Sequence, residues 1–274
     1  MPVGSLTSFY TLEFGPLAAP GADRSRLGAA MAPLVATRGA LRLDALDPGA
    51  PWFEPWLAGA QAAGVRVHRF FEFGNWSERI EGSYADWLAR RPGTLRNTIR
   101  RRTRQAAGST QTERVTAGDR LEPCIADFEK VYARSWKSPE PYADFNAACM
   151  RALAQAGLLR LGVLRDASGP IAAEYWAVSG GTAYLLKLAY DQAAASRSPG
   201  TVLTAQMVRG LFDEGGIGRL DFGRGDDPYK QLWVGERRER LGVLLLDPRR
   251  PLGMAWQARL AASRLKRRLL RPRA

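Results

Sequence analysis

Three strand-like segments follow one another in the second half of the chain, with very short connections between them. They are LLRLGVLRD (158–166), PIAAEYWAV (170–178) and TAYLLKLAYD (182–191), and the connections are ASG and SGG. Connections this short join antiparallel neighbours, because glycine readily adopts the backbone angles of hairpin turns. The sequence therefore predicts an antiparallel three-stranded meander, which restricts the fold more than any other feature of the chain.

A turn, a helix and a further strand follow the meander. The helix is predicted over 200–214, after the turn SPG, and the strand GRLDFG over 218–223. A strand that returns to the same sheet after a crossover helix runs parallel to the strand before that helix. Two helices precede the meander, predicted over 118–136 and 142–156. This order predicts an α/β fold with a mixed, mostly antiparallel sheet flanked by helices.

The N-terminal part repeats these kinds of element in a shorter arrangement. ALRLDAL (40–46) and VRVHRFFEF (65–73) alternate as strands do, and a helix is predicted between them over 51–64. We expect a partial α/β half, then the main domain, then a basic C-terminal helix or tail. The predicted bounds of these three parts are 1–83, 84–247 and 248–274.

The composition excludes several classes of protein. No apolar run reaches the ~18 residues that a membrane span needs, and the N-terminus lacks the basic and apolar segments of a secretory signal. Cys124 and Cys149 lie in helical patterns without the spacing of metal ligands, and His68 is the single histidine. The sequence therefore predicts a cytoplasmic protein without a metal.

The net charge of +13 is concentrated in two segments. Residues 249–274 hold nine Lys or Arg residues, residues 90–104 hold seven, and neither segment contains an acid. Such segments attract polyanions: nucleic acid, anionic lipid, an acidic carrier protein or a phosphorylated donor. The last segment also contains leucines, so an interfacial helix on an anionic inner membrane, a packed helix and a disordered tail are its alternatives.

The turn before the predicted crossover helix has the features of an anion site. Its residues are Arg197, Ser198, Pro199, Gly200 and Thr201. The first N–H groups of a helix have no partner within the helix, and the helix dipole is positive at that end, so a phosphate is stabilised there. The alternative is an ordinary turn, in which proline presets the first helical residue.

Ionisable residues near this turn are candidates for chemistry. Glu174 lies in an apolar strand, where burial would raise its pKa and suit it to act as a general base. A half-exposed strand face, or a pair with Lys187, is the alternative for Glu174. The predicted catalytic residues are Glu174, Asp221, Tyr229 and Lys230, and the predicted substrate-binding residues are Arg224, Asp226, Arg100 and Arg101.

Several motifs in this order are similar to those of a known family. Residues 197–202 give R-x-x-G-x-V, close to the R/Q-x-x-G-x-G/A turn with which GNAT acyltransferases bind the pyrophosphate of their donor. SPGTVL and LDFGRGDDPYKQLW, with LRNTIRRRTR and AGLLRLGVL, resemble the CelD/BcsL-type GNAT group, near the Fem-type aminoacyltransferases. The resemblance covers roughly residues 40–246 and implies an incomplete N-terminal half.

The resemblance implies the reaction and its partners. The donor would be acetyl-CoA or another acyl thioester, including an acyl-carrier protein, with its pantetheine between two splayed strands and its phosphates at Arg197–Thr201. The acceptor would be an amine on a small molecule or a saccharide, as in envelope or exopolysaccharide biosynthesis. Tyr229 would protonate the leaving thiolate, and Lys230 would hold a phosphate or stabilise the oxyanion.

Two other functions compete with this one. The basic segments also suit an aminoacyl-tRNA-dependent transferase of the Fem kind, although no heptad stretch predicts the coiled-coil arm common in those enzymes. A non-catalytic GNAT-like module, tethered by the basic tail, is the third hypothesis. The sequence names neither the acceptor nor the acyl length, and it does not distinguish N-transfer from O-transfer.

Overall fold

The computed structural model of the chain describes residues 2–269, which group into two units. The first unit contains the described residues up to Gly74 and from Arg238 onward, and the second contains Asn75–Arg237. These compact units divide the chain after residues 74 and 237, whereas the sequence predicts boundaries after residues 83 and 247. The predicted division stays a prediction about domain organisation.

The described residues form ten α-helices and nine strands. The helices are α1 (Arg24–Ala29), α2 (Met31–Arg38), α3 (Phe53–Ala62), α4 (Tyr84–Ala89), α5 (Gly93–Ala106), α6 (Leu121–Ala133), α7 (Phe145–Gln155), α8 (Pro199–Glu214), α9 (Lys230–Trp233) and α10 (Pro251–Leu269). The strands are β1 (Val3–Gly4), β2 (Ala40–Leu46), β3 (Arg66–Arg79), β4 (Gln111–Val115), β5 (Leu159–Asp166), β6 (Gly169–Ser179), β7 (Thr182–Tyr190), β8 (Arg219–Arg224) and β9 (Glu236–Leu246).

The sheet of the second unit contains the predicted meander. Antiparallel pairing joins β4 to β5, β5 to β6 and β6 to β7. After the crossover helix α8, β8 pairs with β7 in parallel, and its other edge pairs antiparallel with the end of β3. The predicted mixed, mostly antiparallel sheet flanked by helices is therefore confirmed.

Helices cover both faces of this sheet, because its strands alternate apolar side chains between the two faces. On β6, Ala172 and Trp176 belong to a core with residues of α5 and α8, including Leu203. Ala173 and Tyr175 belong to a separate core with residues of α6 and α7. Glu174 shares the face of Ala172 and Trp176, so alternation places this carboxyl group under α8.

The first unit has its own core on α3, β2 and β9, where Phe53, Leu41 and Val243 are buried. β2 pairs antiparallel with β9 and parallel with β1. Along α10, Leu252 and Trp256 pack against buried residues of β2 and β9. The first part of α10, Leu252–Leu260, is therefore a packed helix, one of the three alternatives for the basic tail. Contact with an anionic membrane stays a prediction, and residues 270–274 lie outside the described residues.

Some elements differ from the sequence-based expectation. β3 runs on to Arg79, six residues beyond the predicted end of that strand at 73. β9 begins at Glu236, before the apolar run LGVLLLD that starts at Leu241, and the sequence did not predict α1, α2 or β4. The residues of both extensions are mostly polar, so apolar alternation does not predict them as strand. Pairing with a neighbouring strand holds the backbone extended there.

Candidate functional site

β7 and β8 separate after a short stretch of parallel pairing. They pair at Thr182–Arg219, Ala183–Leu220 and Tyr184–Asp221, and the pairing ends there. Beyond this point β7 stays paired with β6, while β8 pairs with β3 at Asn75–Arg224. An opening therefore forms between the ends of two neighbouring strands, as the resemblance implied.

The start of α8 lies at the same end of the sheet. A 3₁₀ helix over Gln192–Arg197 follows β7, and Ser198 then takes a left-handed conformation (φ 53°, ψ 49°) before Pro199 begins α8. No side chain caps this helix, so its first N–H groups can bind an anion. Gly200 is buried against β7, since a Cβ there would lie 3.1 Å from Cδ1 of Tyr190.

Two arginines lie beside this helix start. Arg102 of α5 and Arg197 line a small cavity together with Pro199 and Val202. The Arg197 guanidinium donates to Asp166 Oδ2 over 2.7 Å, whereas the buried Nε of Arg102 has no hydrogen-bond partner within the described part of the chain. Arg102 belongs to the basic segment 90–104, but it is not among the residues predicted to bind the donor or the substrate.

Glu174 is fully buried and hydrogen-bonded through both carboxyl oxygens. Oε1 accepts from Trp176 Nε1 over 2.7 Å, and Oε2 accepts from Thr204 Oγ1 of α8 over 2.5 Å. Burial raises the pKa of Glu174 to about 7, although these two hydrogen bonds oppose the shift. A general base must reach the proton it removes, directly or through water. The role of general base stays a prediction, and it requires this buried carboxyl group to become accessible to water. The contacts also give Glu174 a positioning role, because the carboxyl group holds α8 against β6. The alternative pair is also absent here, since Lys187 is paired with Glu140.

Tyr229 lies beside the opening. It is half-buried, directly before α9, and packs against the core that contains Leu188 of β7 and Phe222 of β8. Its pKa is raised by burial and, secondarily, by the negative charges of Asp227 and Glu174. The phenol therefore stays protonated at neutral pH, and its predicted role toward the leaving thiolate stays a prediction.

Asp221 and Lys230 shape the walls of the opening. Asp221 is buried, and its Oδ1 accepts from Asn75 Nδ2 and from the backbone N–H of Gly223, both over 2.7 Å. Lys230 is 4% exposed and donates to the carbonyls of Arg224 (2.6 Å) and Gly225 (3.3 Å). Its Nζ also lies 3.0 Å from a carboxyl oxygen of Asp227.

The catalytic roles predicted for Asp221 and Lys230 stay predictions, and their contacts add structural roles. The hydrogen bond from Asn75 joins Asp221 of β8 to β3, and Lys230 ties together the loop before α9. A phosphate or oxyanion bound at Lys230 would have to displace the existing partners of its ammonium group.

The predicted substrate-binding residues lie in two separate places. Asp226 forms two hydrogen bonds with the guanidinium of Arg237 (2.7 and 2.8 Å), which is the main reason why its pKa is lowered. Arg224 ends β8, and its carbonyl accepts from Lys230. Arg100 and Arg101 are exposed on α5 and line a groove along that helix, and neither of them lines the cavity at Arg102. Their role in binding remains a prediction.

Local sequence patterns do not single out the connection between α6 and α7, although its residues contact β7. Lys187 of β7 forms an ion pair with Glu140 in this connection, and Tyr132 Oη donates to the same carboxylate over 2.6 Å. Trp136, also in the connection, packs on Tyr190 with ring centroids 4.4 Å apart. This segment therefore lies at the end of β7 that borders the opening. Lysine is rare in this chain, with five lysines among 40 Lys and Arg residues. The lysines at 137 and 187 were therefore the sequence feature that could have indicated this part of the site.

Two classes of site receive no support in the described residues. Over 2–269 there is no cluster of three or more His, Cys, Asp or Glu side chains able to hold a metal ion. Cys124 and Cys149 are free thiols. Among the helices described, none has both the length and the apolar character that crossing a bilayer requires.

The fold is similar to several solved structures. One is the crystal structure of FemX, with 13% identity, a TM-score of 0.61 and coverage of 82% of this chain and 78% of that chain. Another is the C-terminal domain of a putative lysylphosphatidylglycerol synthetase from Agrobacterium fabrum, with 12% identity, a TM-score of 0.54 and coverage of 83% and 74%. A conserved protein of unknown function from Bacteroides thetaiotaomicron has 10% identity, a TM-score of 0.56 and coverage of 81% and 75%. At these identities the similarity shows the fold alone.

The sequence also matches a family model. No curated protein matches the chain. The model described as an acetyltransferase (GNAT) domain matches residues 93–231, just over half of the chain. The matched residues run from α5 through the meander, the start of α8 and the loop that contains Tyr229. The chain therefore belongs to the GNAT acetyltransferase-domain family, with a fold shared by Fem-type transferases.

Proposed function

We propose that the protein transfers an acyl group from a CoA or carrier-protein thioester to an amine. The observation that carries this proposal is the separation of β7 from β8 after Tyr184 and Asp221, at the end of the sheet where α8 begins uncapped. An extended thioester arm fits between separated strands, and its phosphates fit at a helix start. An acetyl donor and a saccharide acceptor in envelope or exopolysaccharide biosynthesis are finer proposals of the same kind.

The residues at the start of α8 suit the phosphates of such a donor. The N–H groups of Gly200 and Thr201 lie in the first turn of the helix, where no side chain caps them. Arg102 and Arg197 add two guanidinium groups at the cavity beside Pro199. Guanidinium groups bind phosphate oxygens in a bidentate manner, so these groups fit an anion of higher charge than a carboxylate.

The chemistry needs little beyond positioning. The nitrogen of a neutral amine attacks the thioester carbonyl, so a C–N bond forms and the C–S bond breaks. The amine proton leaves to solvent, and the sulfur leaves as a thiolate that solvent protonates. Tyr229 donates a hydrogen bond to this thiolate, since its raised pKa keeps the phenol protonated. Holding the two reactants together in the opening supplies much of the rate enhancement.

Donor binding is tested by adding a charge at the helix start. We expect CoA to raise the melting temperature of the wild type and Thr201→Glu to weaken CoA binding by about tenfold or more, since a carboxylate there repels phosphate. Glutamate in the first turn favours the helix, so the variant should still fold. Thr201→Gln is the matched control and should bind CoA nearly as the wild type does.

Two results of the thermal-shift and calorimetric measurements would oppose the proposal. The thioester donor is wrong if saturating CoA, acetyl-CoA, longer acyl-CoAs and acyl-carrier protein all leave the melting temperature unchanged. The assignment of the phosphate site is wrong if CoA binds equally well to the wild type and to the Thr201→Glu variant.

An exposed basic face favours a second candidate function, transfer from an aminoacyl-tRNA. Arg96, Arg100, Arg101 and Arg104 are exposed on α5, and none of them forms an ion pair within residues 2–269. Contacts to phosphates make tRNA binding steeply salt-dependent, and replacing Arg100 and Arg101 by serine should reduce the slope of log K against log salt by about 2. Binding measured by fluorescence anisotropy that does not change with salt would exclude this candidate.

A further inference from the structure

Three lysines from different elements come together near the opening. The chain has five lysines, and three of them belong to this group. Lys137 lies in the same connection as Glu140, the ion-pair partner of Lys187, and the charges of Lys187 and Lys230 both act on Lys137. Lys137 lies in the connection between α6 and α7, Lys187 on β7 and Lys230 at the start of α9. Elsewhere the chain uses arginine almost throughout, so this concentration of lysine marks a local environment that differs from the rest of the protein.

The three ammonium groups differ in their partners. Lys187 is paired with Glu140, and Lys230 is paired with Asp227 over 3.0 Å. Lys137 has neither an ion pair nor a hydrogen bond from Nζ within the described part of the chain, and its Nζ lies 5.3 Å from the centre of the Trp136 ring. The group therefore combines three positive charges with two carboxylates, and Lys137 is the ammonium whose charge is not balanced.

The position of Lys137 relates this group to the donor site. The neighbouring Trp136 packs on Tyr190 at the end of β7. Tyr190 also packs against Gly200 at the start of α8, where a Cβ on Gly200 would lie 3.1 Å from Cδ1 of Tyr190. A chain of direct contacts therefore runs from the segment of Lys137 to the proposed phosphate site, and Lys230 closes the loop beside Tyr229. Lys187 lies on β7 beyond the end of its pairing with β8, so the lysine group borders the opening.

We propose that Lys137 binds an oxyanion, a carboxylate or a phosphate, carried by the acceptor amine. The identification of the ligand as an acceptor rests on the proposed acyl transfer, whereas the anion site stands on the lysine group itself. An anionic group at Lys137 supplies the missing negative charge, and it offsets the repulsion that an amine would meet near three ammonium groups. The same positive field keeps the nearby amine unprotonated, which is the form that attacks a thioester.

The electrostatics of Lys137 agree with such a ligand. Burial lowers its pKa, and Lys187 and Lys230 lower it further, while Asp227 and Glu140 oppose the shift. A bound anion would stabilise the charged form of Lys137 and raise its pKa again.

The test follows the lysine Cε signals by NMR in the full-length protein labelled with ¹³C-lysine. The probes are two pairs of small amines: 2-aminoethyl phosphate with ethanolamine, and glycine with glycinamide. We expect the signal of Lys137 to shift saturably with the anionic member of at least one pair and not with its neutral partner. The two pairs separate phosphate from carboxylate recognition. Each titration is run with and without saturating CoA. CoA fills the proposed phosphate site at the start of α8, so that the phosphate probe cannot bind there.

Variants make the assignment specific. Lys137→Met should weaken binding of the anionic amine, measured by calorimetry, by about tenfold or more, since a charge-assisted contact is lost. Lys137→Arg should retain most of the affinity, because it keeps the charge. Lys130→Met is the matched control: Lys130 is exposed on α6 and already paired with Asp127, so its loss should change nothing.

The outcomes distinguish this inference from the proposed acyl transfer. The inference is overturned if neutral and anionic amines act alike, if the shift does not saturate, or if Lys137→Met binds as the wild type does. CoA binding in the same samples reports separately on the donor. Loss of CoA binding with intact anion binding would refute the acyl-CoA donor and leave the anion site standing.

Discussion

Replacing Arg91 by methionine should lower the free energy of unfolding by about 3–5 kcal/mol, because it leaves a buried carboxylate without its partner. Arg91 donates to both carboxyl oxygens of Glu78, over 2.7 and 2.6 Å, and to the carbonyl of Trp233 over 2.7 Å. The side chains of Arg91 and Glu78 are 6% and 12% exposed. Solvent therefore screens this pair little, and urea unfolding measured by circular dichroism should show the full effect.

The expected loss comes from the unpaired charge more than from the missing attraction. The double variant Arg91→Met, Glu78→Gln should therefore recover part of the stability, since glutamine can still accept from the backbone N–H of Gly235 as Glu78 does over 2.7 Å. The adjacent Arg90 is exposed and serves as the control, so Arg90→Met should change stability by less than about 1 kcal/mol. An Arg91→Met effect as small as that of Arg90→Met would mean that the pair is solvated in solution.

This ion pair also connects the fold to the candidate site. Trp233 ends α9, the helix that begins with Lys230, and its ring stacks on Trp87 and Phe222. The contacts of Arg91 and Glu78 therefore fix the C-terminal end of the helix that follows Tyr229. We infer that loss of the pair weakens donor binding as well as stability, since both depend on the position of this helix.

The sequence was sufficient for the elements whose signal is local. The meander follows from apolar alternation and glycine turns, and the helix start at Pro199 follows from proline and glycine in the turn. β4 was missed because Gln111–Val115 is polar except for its last residue, and the end of β3 because it is held by pairing with β8. Local periodicity does not predict which distant segments of the chain pair as strands.

The site was harder to predict, because its contacts join distant parts of the chain. Apolar neighbours of Glu174 correctly indicated burial and a raised pKa. Its hydrogen-bond partner Thr204 lies 30 residues away in the sequence, on α8, which packs against the sheet. Lys137 and Lys187 were not selected, since each is an ordinary residue of its own segment. The charge environment exists only after folding.

Glu174 should make the stability of the protein fall as the pH rises from about 4.5 to 7. Its pKa is about 7 in the folded protein against an ordinary value of 4.5, so the folded state binds more protons than the unfolded state in this range. The free energy of unfolding then decreases with pH, and the contribution of Glu174 amounts to about 3 kcal/mol once the pH exceeds 7. Stability is thus greatest where the carboxyl group is buried in its neutral form.

Glu174→Gln should remove this dependence, because an amide does not ionise and still fits between Trp176 Nε1 and Thr204 Oγ1. Urea unfolding at pH 5 and pH 8 measures the effect, and the difference between the two proteins cancels the titration of His68 and other groups common to both. Glu122→Gln is the control: Glu122 pairs with Arg151, which lowers its pKa, so it is ionised in both states above pH 5. The same slope in the wild type and in Glu174→Gln would show that Glu174 is ionised without penalty. In that case the carboxyl group would have to reach solvent, and this result would support the predicted role of Glu174 as general base.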